Sequence, residues 1–95
     1  MGGWVYIVTN RPHGTLYVGV TSDLPRRIWE HREGVVEGFT SRYKLHQLVH
    51  AEFHDDIRGA IQREKNIKGW SRGWKLDLIE KENPNWEDIF ERLQI

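Results

Sequence analysis

Trp4-Val5-Tyr6-Ile7-Val8-Thr9, then Asn10-Arg11-Pro12-His13-Gly14, then Thr15-Leu16-Tyr17-Val18-Gly19-Val20: this stretch decides the fold. The first run is almost wholly β-branched or aromatic, which suits a pleated strand. The middle holds a proline, which presets φ, and a glycine, which can supply φ > 0. The third run is strand-like again. Two strands so close together, joined by turn residues, are expected to form an antiparallel hairpin.

Outward from the hairpin, Ser22 or Asp23 offers an N-cap, with Pro25 tolerated in the first turn. That helix is expected to run to about Arg32 and stop at Gly34. Residues 34–44, with two glycines and mixed polarity, are expected to be a loop. From Leu45 to Phe53 the odd positions are Leu45, Gln47, Val49, Ala51 and Phe53, an alternation that favours a strand. Asp55 or Asp56 can cap a second helix from about Ile57 to Lys68, closed by Gly69. Ser71 opens a third through Trp74, Leu78 and Ile79, closed before Pro84, and a short terminal helix is expected from Trp86 to Leu93. The order β-β-α-β-α-α predicts an α+β fold, a three-stranded antiparallel sheet flanked by helices, with residues 1–95 forming one domain.

The chain has 95 residues, enough for one modest core. The absence of cysteine excludes a disulfide framework, a thiolate metal site and a thiol nucleophile. No apolar run approaches the roughly 20 residues that span a bilayer. Met1-Gly2-Gly3-Trp4 lacks the basic start and apolar stretch of a signal peptide. A soluble cytoplasmic protein without a membrane partner is the expectation. Fourteen Lys plus Arg balance fourteen Asp plus Glu, which at first sight argues against a nucleic-acid partner. Position changes that meaning. Residues 58–76 carry six basic side chains against Glu64 alone, a net of +5, and residues 77–95 carry two against six acids, a net of −4. The basic block lies on and just after the helix bearing Glu64. A modest, salt-sensitive affinity for nucleic acid is therefore expected.

The helices contain a local conflict. Leu24, Arg27, Ile28 and His31 fall at i, i+3, i+4 and i+7, one helix face, with Arg26, Glu30 and Glu33 on the others. Ile57, Ala60, Ile61 and Glu64 repeat the spacing, so Glu64 stands where a core leucine is expected. An inward carboxylate is costly unless paired, hydrogen-bonded or bound to a cation, and Arg27 is a candidate partner. Such an Arg–Glu pair can serve structure alone, as can an edge histidine or the strand tyrosines Tyr6 and Tyr17. His46, His50 and His54 are spaced by four. On a strand, successive members stand about 13 Å apart and cannot share one metal ion. No HExxH, Walker loop, GxSxG or dinucleotide fingerprint is present. The five tryptophans read mainly as core anchors, although Trp70 and Trp74, four apart in a basic stretch, could instead stack on bases.

Taken in order, these residues resemble the GIY-YIG nuclease superfamily, especially its small stand-alone bacterial members (the URI-domain subgroup). Trp4-Val5-Tyr6 corresponds to the first signature tripeptide and Tyr17-Val18-Gly19 to the second. Residues 16–27 look like the family's second strand and first helix, with its arginine at Arg27 and its histidine or tyrosine at His31. The metal-binding glutamate matches Glu64 within Ala60-Ile61-Gln62-Arg63-Glu64-Lys65, and Lys68-Gly69-Trp70 and Asn83-Pro84-Asn85-Trp86 look like the small-member subgroup. Trp4 replaces the family's first glycine. The late asparagine common in the superfamily falls near Asn83 or Asn85 without a clear register.

The resemblance implies a metal-dependent endonuclease that hydrolyses DNA phosphodiester bonds, structure-directed or single-strand-directed. Its implied site is Tyr6, Tyr17, Arg27, His31 and Glu64, with Glu64 holding one Mg²⁺ or Mn²⁺. Arg27 would clamp the phosphate, Tyr6 would activate water and pass its proton towards His31, and Tyr17 would orient water or phosphate. Arg26, Arg42, Lys44, Arg63, Lys65, Lys68 and Arg72 are the expected nucleic-acid contacts, with Phe39 and Tyr43 available for stacking in loop 34–44. A binding module on the same fold without turnover is the alternative, and a third reading is an interaction domain with a structural Arg27–Glu64 pair. No separate recognition domain fits in this length, so targeting falls to the domain itself, to DNA structure or to a protein partner. DNA repair, uptake and processing all remain open as roles.

Overall fold

Strand β1 (Gly3–Thr9) pairs antiparallel with β2 (Leu16–Thr21), Tyr6 facing Gly19 and Thr9 facing Leu16, in a computed structural model that describes residues 1–35 and 43–93. The turn between them is held by side chains: Thr9 Oγ1 donates to Arg11 O at 2.9 Å, and Asn10 Oδ1 accepts from the Thr15 amide at 3.0 Å. The left-handed residue of this turn is His13, φ 57°, and not the glycine beside it. Gly14 is required for space instead, since a Cβ there would strike the Asn10 side chain and the Arg11 carbonyl.

Helix α1 (Leu24–Glu33) is capped by Asp23, whose carboxylate accepts from the Arg26 amide, and it ends at Gly34 with φ 73°. Strand β3 (Gln47–His54) pairs antiparallel with the other side of β1, giving the order β2-β1-β3. Its simple alternation is interrupted. A register shift between Ile7 and Val8 lets His50 face Ile7 and Leu48 face Val8, so one residue bulges and the faces exchange. Helix α2 (Ile57–Lys68) starts at Asp56, and α3 (Arg72–Glu82) starts at Ser71 and closes at Asn83. The expected terminal helix is shorter. Trp86 has φ 56°, which no right-handed helix accepts, and only Phe90–Leu93 form a single 3-10 turn.

The sheet is packed on both faces. On one, Val5, Ile7, Val18 and Val49 meet Ala60 and Ile67 of α2 and Ile79 of α3. On the other, Tyr6, Val8 and Leu48 meet Leu24 and Ile28 of α1, with Leu45, Ile89 and Phe90 alongside. The inward stripe of α2 is Ile57, Ala60, Glu64 and Ile67, whereas Ile61, expected to be part of it, is exposed. The tryptophans divide. Trp86 is buried and Trp4 and Trp70 pack against the cores, but Trp29 and Trp74 are 57% and 62% exposed, which corrects their reading as anchors. Among the described residues, no helix is long and apolar enough to cross a membrane. The described residues form an α+β fold with a three-stranded antiparallel sheet and three α-helices.

Candidate active site

Tyr6 is the centre of the site and is fully buried, on the middle strand. Strand alternation turns its ring towards α1, and it lies across Gly19 of β2, where a Cβ would overlap the ring and its hydroxyl. The small residue of the second tripeptide is thus what lets the phenol lie flat against the neighbouring strand. The Tyr6 hydroxyl is 2.9 Å from His31 Nε2 and accepts from Arg27 Nη1 at 3.3 Å. Both partners come from α1, four residues apart, which puts them on the face that also carries the buried Leu24 and Ile28. Tyr17 completes an aromatic corner, its ring centroid 5.6 Å from His31 and 6.4 Å from Tyr6.

The expected Arg27–Glu64 pair does not form. Arg27 Nε is 3.3 Å from Glu30 Oε1, while Glu64 Oε2 is 2.6 Å from Lys68 Nζ. Helix geometry accounts for both: each arginine or lysine finds a carboxylate three or four residues away before it can reach across the molecule. Glu30, assigned from spacing to an outer face, is therefore a partner of Arg27 and also of Arg26, whose Nε is 3.4 Å away. Its position relative to those two arginines was the available signal. With Nε on Glu30 and Nη1 on Tyr6 and the Val20 carbonyl, none of these bonds engages Nη2 of Arg27. Glu64 is buried, and Lys68 links it to the aromatic corner, its Nζ lying 5.9 Å from the Tyr17 ring centroid.

Burial sets the protonation states. It pushes the Tyr6 phenol up to about 12, although the Arg27 guanidinium pulls the other way. It pushes His31 down to about 4, assisted by the positive charge of Arg27 and opposed by Glu30. Near neutral pH, Tyr6 is a phenol and His31 a neutral imidazole. Because a guanidinium only donates, the phenol oxygen accepts from Arg27 and its own proton is free for His31 Nε2. Among the described residues, Nδ1 of His31 and Oε1 of Gln47 are buried and find no hydrogen-bond partner.

The expected nucleic-acid contacts are not equivalent. Lys65 and Arg26 are exposed, and Lys44 is exposed with φ 55°. Arg63 is bound to Glu52, Nε to Oε1 at 2.7 Å, and lies over the Trp70 ring. Arg72 donates to the His13 and Gly14 carbonyls at 2.8 and 2.7 Å, so it fastens the hairpin turn rather than standing ready for phosphate. Arg42 and Phe39 lie outside the described residues. Asn83 is buried and donates to the carbonyls of Val49 and Glu87, a splice between α3 and the sheet, whereas Asn85 is exposed.

A family model described as the GIY-YIG catalytic domain matches residues 2–89. The chain belongs to the GIY-YIG family. Its relatives include a UPF0213 protein of Syntrophus aciditrophicus, 41% identical over 71 residues, covering 74% of this chain and 80% of that one. A UPF0213 protein of Haloquadratum walsbyi is 38% identical over 78 residues, covering 82% and 86%. Among solved structures, the solution NMR structure of a UPF0213 protein from Bacillus halodurans covers 96% of both chains with a TM-score of 0.60 and 27% identity. The family is one of nucleases, so its members imply a nucleic-acid substrate and in general a divalent metal.

The side chains present fit such an ion. Lys68 engages Oε2 of Glu64, which leaves Oε1 as a hard oxygen donor. Among the described residues no group of three or more His, Asp or Glu side chains is placed to hold a metal ion by itself. One carboxylate suits a small divalent cation that retains several waters and takes its remaining ligands from substrate phosphate.

Proposed function

We propose that the protein is an endonuclease that hydrolyses DNA phosphodiester bonds, with Tyr6, Tyr17, Arg27, His31 and Glu64 as its working side chains. The observation that carries this reading is the chain of contacts from His31 through the Tyr6 hydroxyl to Arg27, set beside Tyr17 and the Glu64–Lys68 pair.

Arg27 binds a phosphate oxygen through Nη2, its fork held in register by Glu30 on one side and Tyr6 on the other. Tyr17 borders the same space and orients the attacking water or the phosphate. Tyr6 takes the proton of that water as its own passes to His31 Nε2. In the free protein burial holds Tyr6 as a phenol and His31 as a neutral imidazole. The negative charge of a bound phosphodiester raises the affinity of His31 for a proton, and the transfer follows substrate binding. Glu64 would hold one Mg²⁺ or Mn²⁺, which supplies charge stabilisation at the phosphate and leaving oxygen. Exposed Lys44, Lys65 and Arg26 supply general attraction to the backbone.

Purified protein incubated with single-stranded, duplex and branched DNA, each with Mg²⁺, Mn²⁺ or chelator, tests the proposal. Cleavage of at least one substrate is expected with metal and none with chelator. A shifted but uncut substrate under every condition would leave a binding module in place of an enzyme.

A further inference from the structure

The buried Glu64 carboxylate is already held by a cation of the protein's own. Lys68, one helical turn further along α2, sets Nζ 2.6 Å from Glu64 Oε2, and the same nitrogen faces the Tyr17 ring at 5.9 Å. The two side chains differ in freedom. Glu64 is 11% exposed and fixed on the inward stripe, whereas Lys68 is 49% exposed on a flexible stem. In this position the ammonium neutralises a carboxylate that would otherwise be buried unpaired, and it gains attraction from the face of Tyr17. It also stands at the carboxylate oxygen beside Oε1, the one left to a divalent ion. A single and a double positive charge at neighbouring oxygens repel strongly in a partly dry site.

We propose that Lys68 occupies the divalent-ion site of the free protein and vacates it when a nucleic-acid phosphate takes up its ammonium, so that ion and substrate enter together. This inference rests on the reading of Glu64 as the ion's ligand. A lysine suits the exchange because its ammonium is a compact, mobile point charge that binds phosphate as readily as carboxylate. Its ammonium lies between Glu64 on its own helix, at 2.6 Å, and the ring of Tyr17, at 5.9 Å, which borders the His31 and Tyr6 rings of the corner where Arg27 is proposed to hold the phosphate. Turning from Glu64 towards that corner frees Oε2 and adds a second cation to the bound strand. Linkage then requires reciprocity: DNA tightens ion binding, and the ion tightens DNA binding by the same factor.

Mn²⁺ titration of the full chain without DNA, read by the electron paramagnetic resonance of the free ion, tests this directly. Lys68→Met is expected to bind Mn²⁺ roughly tenfold more tightly than the unsubstituted protein or better, while Lys68→Arg, which keeps the cation, stays close to it. Adding a DNA oligonucleotide should tighten Mn²⁺ binding in both proteins, through the phosphate oxygens it supplies, and by a further factor of similar size in the unsubstituted protein, where it also draws Lys68 away. Equal Mn²⁺ affinity in the unsubstituted protein and Lys68→Met, with Glu64→Gln abolishing binding, overturns the role of Lys68 and leaves Glu64 as the ligand. Tight binding that survives in the double variant Lys68→Met with Glu64→Gln overturns the reading of Glu64 beneath it. Thermal melting of each variant accompanies the titration, since only a folded protein reports on the site.

Discussion

Two polar clusters lie on opposite faces of the same sheet, and they are built to different rules. Towards α2, Glu52 takes His50 Nε2 at 2.9 Å, His54 Nε2 at 3.0 Å and Arg63 Nε at 2.7 Å, while the Arg63 guanidinium also covers Trp70. Burial works to raise the Glu52 carboxyl, but the hydrogen bonds from His50, Arg63 and His54 outweigh it and hold the group far below the usual carboxylate range. Both oxygens of that carboxylate are taken by partners from the strand and from α2. Towards α1, Tyr6 and Arg27 are joined to a histidine whose Nδ1 finds no partner among the described residues, and one arm of the arginine is not engaged by the Tyr6, Val20 and Glu30 bonds. A carboxylate so fully paired serves the fold, whereas the Tyr6 cluster is the one proposed to meet a ligand.

The sharpest way to break this contrast is to remove one member of each cluster. Arg27→Ala should lower cleavage on the order of 10³-fold, the scale on which loss of a charge-stabilising donor acts. It should shift the melting temperature little, because the Tyr6–His31 bond remains. Steady-state rates and a melting curve on the same sample check both halves. Glu52→Ala should do the reverse. It strands Arg63 and two histidines in a partly buried setting, at a cost of about 2 kcal/mol in denaturant unfolding, with cleavage at low temperature retained. If Glu52→Ala abolished cleavage in a protein still folded, the two faces would not be separate devices.

A smaller effect separates them by pH. His31 gains its proton near 6.5 when unfolded but only near 4 when folded, so between these values the unfolded chain binds the extra proton. Stability from this group is complete above about pH 6.5 and is lost as pH falls towards 4, on the order of 2 kcal/mol. Glu52, depressed in the folded state, is likewise stabilising above its unfolded range and loses that contribution only as pH falls through and below that range. Urea midpoints measured from pH 7 to pH 4.5 should fall in the parent protein, and His31→Phe should flatten that fall. An unchanged slope in His31→Phe would assign the pH dependence to other groups.

Much of this was legible beforehand, and the omissions share a cause. The hairpin, the caps at Asp23, Asp56 and Ser71, and the inward positions of Arg27, His31 and Glu64 follow from local rules of period and capping. Those rules say which way a side chain faces, but not what it finds there. Arg27 and Lys68 are long enough to reach several acceptors, and each took one on its own helix. The bulge opposite Ile7 and Val8 and the left-handed His13 and Trp86 depend on packing between elements, which no window of sequence contains. Charge alone places Arg72 among the phosphate contacts, whereas its Nη2 is bonded to carbonyls of a turn 58 and 59 residues away.

The most direct test of the central claim is a single oxygen. Tyr6→Phe keeps the ring that fills the space above Gly19 and removes only the hydroxyl shared by His31 and Arg27. Measured side by side on whichever DNA substrate the parent cleaves, the variant is expected to bind with parental affinity and to lose cleavage on the order of 10²- to 10³-fold. Cleavage at the parental rate by a folded Tyr6→Phe protein would contradict the assignment of this hydroxyl, and with it the site built around it.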